Sequence, residues 1–308
     1  MSYVKFYLYL MGILFISCSN SDNQNDVGLI VSADWLLEQM DDPSLAILHV
    51  GTREVYDSIH VVGAQFIDPY DFTMSRDELR NELPGLDSVM KLLGTAGVNP
   101  DSKIVLYYES EDLITRTARV FLTMDFAGWG DRTHVLNGGL PGWSNNELAT
   151  SSGTEAHHPP SEESLDGEEK LVTIVAHELE QQRWNPEYVI IDARSAEEYY
   201  GEIDSTEMTG VRGHVEGANY LDYNHLLSDE ENHMIRPDEE LKKELLKAGM
   251  DYEKTAVFYC GSGIRASLNY LVARHLGYSA LLYDGSIEEW ELLELPLISP
   301  VIDPSKLD

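Results

Sequence analysis

Ala256-Val257-Phe258-Tyr259-Cys260-Gly261-Ser262-Gly263-Ile264-Arg265-Ala266-Ser267 joins an apolar run of strand character to a helical pattern that places Leu268, Leu271, Val272 and Leu276 on one face. A strand that turns through glycines directly into a helix is the unit from which parallel sheets with helical cover are built. The turn also holds one thiol. Backbone amides of a glycine-rich turn and the positive end of the following helix dipole converge there, which favours thiolate over thiol and can hold an anion beside it. A buried, inert cysteine is the competing role. Two glycines and an arginine in the turn favour the nucleophile.

Working outward, the chain repeats itself at about half its length. Ala46-Ile47-Leu48-His49-Val50-Gly51-Thr52-Arg53-Glu54-Val55-Tyr56 leads to His60-Val61-Val62-Gly63-Ala64, and Tyr188-Val189-Ile190-Ile191-Asp192-Ala193-Arg194-Ser195-Ala196-Glu197-Glu198-Tyr199 leads to His214-Val215-Glu216-Gly217-Ala218. The run Ile104 to Tyr108 parallels Ala256 to Cys260, and helical patterns follow over Thr115 to Asp125 and Arg265 to Gly277. A third pair of strands, His134 to Leu136 and Ala280 to Tyr283, runs into glycine turns and segments ending at Trp143 and Trp290. Strands alternating with helices predict an α/β fold: two tandem domains, each an open parallel sheet flanked by helices on both faces. Val189 to Ile191 and Val257 to Tyr259 are expected as buried central strands. Residues 151–170, rich in Ser, Glu, Gly, Pro and His, read as a linker between domains at 27–150 and 171–304.

A chain of 308 residues has room for two cores, and 43% hydrophobic content marks it as folded. Its formal net charge of -33 excludes nucleic acid as a partner and opposes adhesion to anionic lipid. Any anion site must therefore be locally positive, which returns attention to the amides of the turn and to Arg265. With only Cys18 and Cys260 there is no disulfide framework. His157-His158 lacks ligand spacing, and no metal site is expected.

Residues 1–17 carry Lys5, an apolar run and a small residue before Cys18, a short export signal rather than a spanning helix. Leu14-Phe15-Ile16-Ser17-Cys18 resembles a bacterial lipobox, with Phe15 where leucine is usual. That resemblance implies lipidation of Cys18, a polar tether over 18–26, and a lipid-anchored protein at the periplasmic or outer-membrane face of the cell envelope. Membrane contact would then come through the lipid alone, and a monomer is expected.

Asp192-Ala193-Arg194, Gly213-His214-Val215-Glu216-Gly217-Ala218 and the Cys-x-x-Gly-x-Arg loop together resemble a rhodanese domain. The first half resembles a second, degenerate one, so nearly the whole chain is similar to the tandem sulfurtransferases. The resemblance implies that Cys260 takes a sulfane sulfur from a small anionic donor such as thiosulfate or 3-mercaptopyruvate, becomes a persulfide and passes the sulfur to a thiol or cyanide, without cofactor. Amides of Gly261, Ser262, Gly263, Ile264 and Arg265 would surround the sulfur. Arg265 either orients an anionic group at the rim or pairs with an acidic neighbour. Ser262 either donates to the site or serves the turn. In the first copy Tyr108 stands where the cysteine would be, with Glu109, Glu111 and Asp112 in place of the glycine turn. Residues 27–150 are therefore expected to be a noncatalytic partner.

Mercaptopyruvate-type members share the Cys-Gly-Ser-Gly start and use a first-domain histidine that His60 would match. His214 holds the equivalent place in the second copy, which points instead to a turn-stabilising role for both. Tandem members also carry a substrate-binding arginine four residues after that of Asp-x-Arg, where this chain has Glu198; Arg212 or Arg265 are the candidate replacements. Arg194 is read first as scaffold, because Gly51 and Arg53 match Asp192 and Arg194, and second as a site contact. Two other functions compete. A phosphatase or arsenate reductase would hold phosphate in a similar loop, but those loops leave five residues between Cys and Arg and this one leaves four. A noncatalytic binding or persulfide-carrier module would suit the charge at Glu198.

Overall fold

The computed structural model describes residues 28–153, 161, 163–202, 213–228 and 234–298. Cys18, Arg212, His157 and His158 lie outside the described residues. The first domain runs β1 (Ile30–Val31), α1 (Ala33–Gln39), β2 (Leu45–Val50), α2 (Arg53–Ser58), β3 (His60–Val61), β4 (Gln65–Ile67), β5 (Met74–Arg76), β6 (Leu79–Glu82), α3 (Leu86–Thr95), β7 (Lys103–Tyr108), α4 (Ile114–Phe126), β8 (Thr133–Leu136), α5 (Gly139–Asn145) and β9 (Thr150–Ser151). The second runs β10 (Thr173–Ile174), α6 (Ala176–Gln182), β11 (Tyr188–Asp192), α7 (Ala196–Tyr200), β12 (His214–Val215), β13 (Asn219–Tyr220), α8 (Asp238–Lys247), β14 (Thr255–Tyr259), α9 (Ile264–His275), β15 (Ser279–Tyr283), α10 (Ser286–Leu292) and β16 (Leu297–Ile298).

Each domain is built on one five-stranded sheet, ordered β1-β8-β7-β2-β4 in the first and β10-β15-β14-β11-β13 in the second. Neighbouring strands within each sheet are parallel. The apolar runs that read as central strands are β11 and β14, with Val189 to Ile191 and Val257 to Tyr259 buried. Helices on both faces hide these runs, which is why they carry no polar alternation. β9 pairs with β3, so residues 150–151 are still held by the first domain. Residues 163–170 also follow that domain: Lys170 N donates to Phe126 O at 2.8 Å and Trp129 Nε1 to Asp166 O at 3.1 Å.

The domains meet along α4 and α9, whose facing residues share one apolar cluster. A polar tie sits within it. Asp125, 1% exposed, accepts from Tyr270 Oη at 2.7 Å and Arg274 Nε at 2.9 Å. Residues that follow core strands add further ties. Asn137 exchanges two hydrogen bonds, both 2.9 Å, with the backbone of Ile235. Asp284 accepts from Leu83 N at 2.9 Å and pairs with buried Arg119. Beside that pair lies Glu82, whose Oε1 is buried and meets no described partner. Burial first, and the charge of Asp284 second, raise its carboxyl to about 7.

Removing Asp125 strands a buried phenol and a guanidinium. Asp125→Ala should lower the unfolding free energy by about 3 kcal/mol, read from urea denaturation. A carboxyl raised in the fold stabilises it fully below the ordinary value of 4.5, and the contribution is lost as pH rises to about 7. Glu82→Gln should therefore match the wild type at pH 4 and exceed it at pH 8 by about 2 kcal/mol, allowing for water that reaches the group. Melting temperatures across that range check it.

Candidate active site

β14 delivers Cys260 to the carboxyl edge of the second sheet, and α9 starts four residues later. Cys260 is fully buried, and Gly261, Ser262, Gly263 and Ile264 are buried with it. The polar groups on the back of the turn are held by α10 and the residues before it. Ile287 N donates to Cys260 O at 3.1 Å, Glu288 N to Gly261 O at 3.3 Å, and Cys260 N to Ser286 Oγ at 3.2 Å. The amides of Gly261 and Gly263 meet no acceptor among the described residues. Buried amides in that state are donors for a ligand, and the positive end of the twelve-residue α9 lies beside them. Gly263 has φ 84°, and a Cβ there would lie 3.1 Å from Arg119 Nη1 and Asp284 O. Glycine is required by both the dihedral and the crowding.

The other residues singled out from sequence are bound into the scaffold. Arg265 forms a bidentate pair with Glu198, Nη1 to Oε2 at 2.6 Å and Nη2 to Oε1 at 3.0 Å. Its charge at the rim is thus met by a carboxylate that is 2% exposed. Arg194, a candidate substrate contact, is buried against Asp192, with Nη2 2.6 Å from Oδ2 and 2.6 Å from Gly213 O. His60, the other candidate, is also buried; its Nδ1 lies 2.6 Å from Tyr56 O and its ring stacks on Tyr56 at 4.1 Å. His214 repeats the arrangement with Tyr199, at 2.9 Å and 3.8 Å. The two histidines thus pack in equivalent turns, in keeping with the turn-stabilising role that the repeat suggests for both.

The repeat itself needs a correction. Cross-strand register sets His49 opposite Tyr107 and Asp192 opposite Tyr259. The two tyrosines accept from Val61 N at 3.1 Å and Val215 N at 3.0 Å. Thr52 and Ser195 then cap equivalent helices. Asp192 and Arg194 therefore correspond to His49 and Gly51, two residues from the match that the sequence invites. The same register aligns Tyr108 with Cys260. Tyr108 Oη accepts from Gly138 N at 2.9 Å, and a Cβ at Gly139 would come within 2.4 Å of the ring. In the second copy Ser286 holds the place of Gly139, and the two share a left-handed backbone, φ 53° and 52°. A ring fills the first copy where the second keeps a thiol and a serine.

The first domain nonetheless reaches the armed loop, through residues that the sequence did not single out. Asn81 Nδ2 donates to Ser262 Oγ at 3.0 Å and its Oδ1 accepts from Arg116 Nη1 at 3.4 Å. Asn81 has φ 60°, which asparagine tolerates better than most residues. Arg80 pairs with Glu288 at 3.4 Å. The first domain thus contacts the loop through Asn81, on the β5–β6 hairpin.

The rhodanese-like domain model matches residues 32–146 and 175–293. Over 271 residues the chain is 27% identical to the 3-mercaptopyruvate sulfurtransferase of Escherichia coli K12, covering 84% of this chain and 94% of that protein. It is 26% identical over 277 residues to the thiosulfate sulfurtransferase of Azotobacter vinelandii, covering 87% and 96%. The crystal structure of the 3-mercaptopyruvate sulfotransferase SseA from Escherichia coli superposes with a TM-score of 0.71 at 25% identity, covering 84% of this chain and 98% of that one. The two family matches fall on the two sheets, one carrying Tyr108 and the other Cys260, and the chain belongs to the rhodanese-like family as a tandem of two such domains.

Proposed function

We propose that the protein is a sulfurtransferase that carries sulfane sulfur on Cys260. The observation that supports this reading most is the buried turn, where a thiol stands at a helix N-terminus beside the backbone donors of Gly261 and Gly263, which meet no acceptor among the described residues. The Cys260 thiolate attacks the outer sulfur of a thiosulfate-like donor, the S–S bond breaks, and sulfite departs with the bonding pair. With a mercaptopyruvate-like donor the C–S bond breaks instead, and the enolate of pyruvate takes a proton. Either route leaves a Cys260 persulfide. A thiolate or cyanide then attacks its terminal sulfur and restores the Cys260 thiolate. Helix dipole and amides stabilise the anionic sulfur throughout. The names of the two sulfurtransferase relatives agree with this chemistry. Residues 27–150 serve as the noncatalytic half: they hold no cysteine and cover the loop through Asn81.

We also read residues 1–26 as an export signal and tether, with lipid on Cys18 holding the enzyme at the bacterial cell envelope. Labelling with a radioactive fatty acid should mark the expressed protein and be lost in Cys18→Ala; equal labelling of the variant would remove this reading. For the catalytic reading, incubation with thiosulfate should add one sulfur to the intact mass, and cyanide should release it as thiocyanate. Cys260→Ser should take up no sulfur and lose at least about a thousandfold in turnover, as loss of a nucleophile does. A wild type that acquires no persulfide from any donor would rule the function out.

A further inference from the structure

The cation of the loop does not face a substrate at full charge. Arg265, in the first turn of α9, gives both terminal nitrogens to Glu198 at 2.6 and 3.0 Å. Glu198 is buried and fixed by the capping box of α7, where it accepts from Ser195 N at 3.2 Å. Asp222, two residues past β13, is a second carboxyl close enough to feel the charge of Arg265. Beneath them Arg194 is matched by Asp192. Among the described residues, the guanidinium groups of Arg194 and Arg265 are thus each met by a carboxylate, that of Asp192 and that of Glu198, with Asp222 nearby. Across the seam Arg119 is matched by Asp284 and Arg80 by Glu288, while Arg116 is bound to the Asn81 amide and lies over the Tyr70 ring. Among the described residues, what remains to hold negative charge near the sulfur is Arg116, set one residue back behind Asn81, and the field of the turn, roughly half an elementary charge from the helix end, in a chain of net charge -33. That suffices for one negative charge better than for two.

We propose that Glu198, acting through Arg265, determines donor specificity by discriminating against dianionic donors in favour of monoanionic ones. The inference rests on the sulfurtransferase reading above. Two donors separate the charges while keeping the chemistry. Thiosulfate carries two negative charges and leaves as sulfite, which carries two; methanethiosulfonate carries one and leaves as methanesulfinate, which carries one. In both, the Cys260 thiolate forms a bond to the outer sulfur, the donor S–S bond breaks, and the persulfide retains the single charge of the thiolate. No oxidant or reductant enters.

The test measures kcat/KM for both donors on the whole protein, with cyanide as acceptor. Glutamine keeps the shape of Glu198 and an oxygen for Ser195 N. Glu198→Gln should raise kcat/KM for thiosulfate about tenfold and that for methanethiosulfonate about threefold, since removing one nearby charge acts on the donor in proportion to its own. Adding Arg265→Gln to that variant should cancel the gain. In the wild type alone, rising salt should increase the ratio of thiosulfate to methanethiosulfonate, because screening relieves the repulsion; this measurement stands even if Glu198→Gln fails to fold. An unchanged ratio in Glu198→Gln, an equal loss with both donors, or a wild-type ratio indifferent to salt overturns the proposal. No persulfide from either donor on the wild type overturns the sulfurtransferase reading, and this inference with it.

Discussion

Everything at the site depends on keeping backbone amides available in a place where water does not reach. A buried amide without an acceptor is costly, so a turn that reserves several must be held in shape by its other polar groups. α10 and Ser286 do this from behind, taking the carbonyls of Cys260 and Gly261 and the amide of Cys260. The serine accepts a left-handed backbone to reach that position, and its hydroxyl also donates to Tyr283 O at 2.9 Å. The strain is local and the compensation is visible. Asp284 and Arg119 brace the glycine side of the turn from across the domain seam, and Asn81 holds Ser262.

The two copies show what duplication of one scaffold permits. Both sheets, the tyrosine that anchors the turn after each second helix, and the stacked histidine and tyrosine are repeated. The differences gather at the carboxyl edges. Tyr108 fills the first cradle and needs Gly139 to leave room, whereas Cys260 leaves room that Ser286 uses. In the first copy Glu109 accepts from Thr52 N at 2.7 Å and lies 3.1 Å from His49 Nε2, an anion installed by covalent bond at the edge where the second copy is built to receive one. In the second domain the buried carboxylate of Glu198 is instead met by the guanidinium of Arg265.

The sequence made the architecture legible because strand and helix follow one another at short range, and apolar runs too uniform for a half-exposed sheet announce themselves as central strands. The strand-to-helix turn at Cys260 was legible for the same reason. The face that the first domain presents was not. Asn81 meets Ser262 across 181 positions of chain, through a short hairpin whose polar residues look like ordinary surface. Arg119 stands one turn from Arg116 on the same helix, and only packing reveals that it is buried. The alignment of the copies failed by two residues because Gly-x-Arg beside Asp-x-Arg makes an attractive match, while the true register is carried by the cross-strand partners of Tyr107 and Tyr259. His60 stacks on Tyr56 as His214 does on Tyr199, a repetition already visible in the two copies of the sequence.

Burial of the thiol has a further consequence. A cysteine that carries sulfur as proposed would also meet peroxides, and how far it would climb the oxidation ladder follows from how often an oxidant reaches it. Cys260 has no exposed surface, and a hairpin of the other domain lies over its loop. The partner domain therefore supplies more than shape. It makes encounter with the sulfur depend on displacing or threading a hydrogen-bonded cover, so reactivity and accessibility are governed by different halves of the molecule. A persulfide formed beneath that cover is shielded from chance chemistry by the domain that lacks a cysteine of its own.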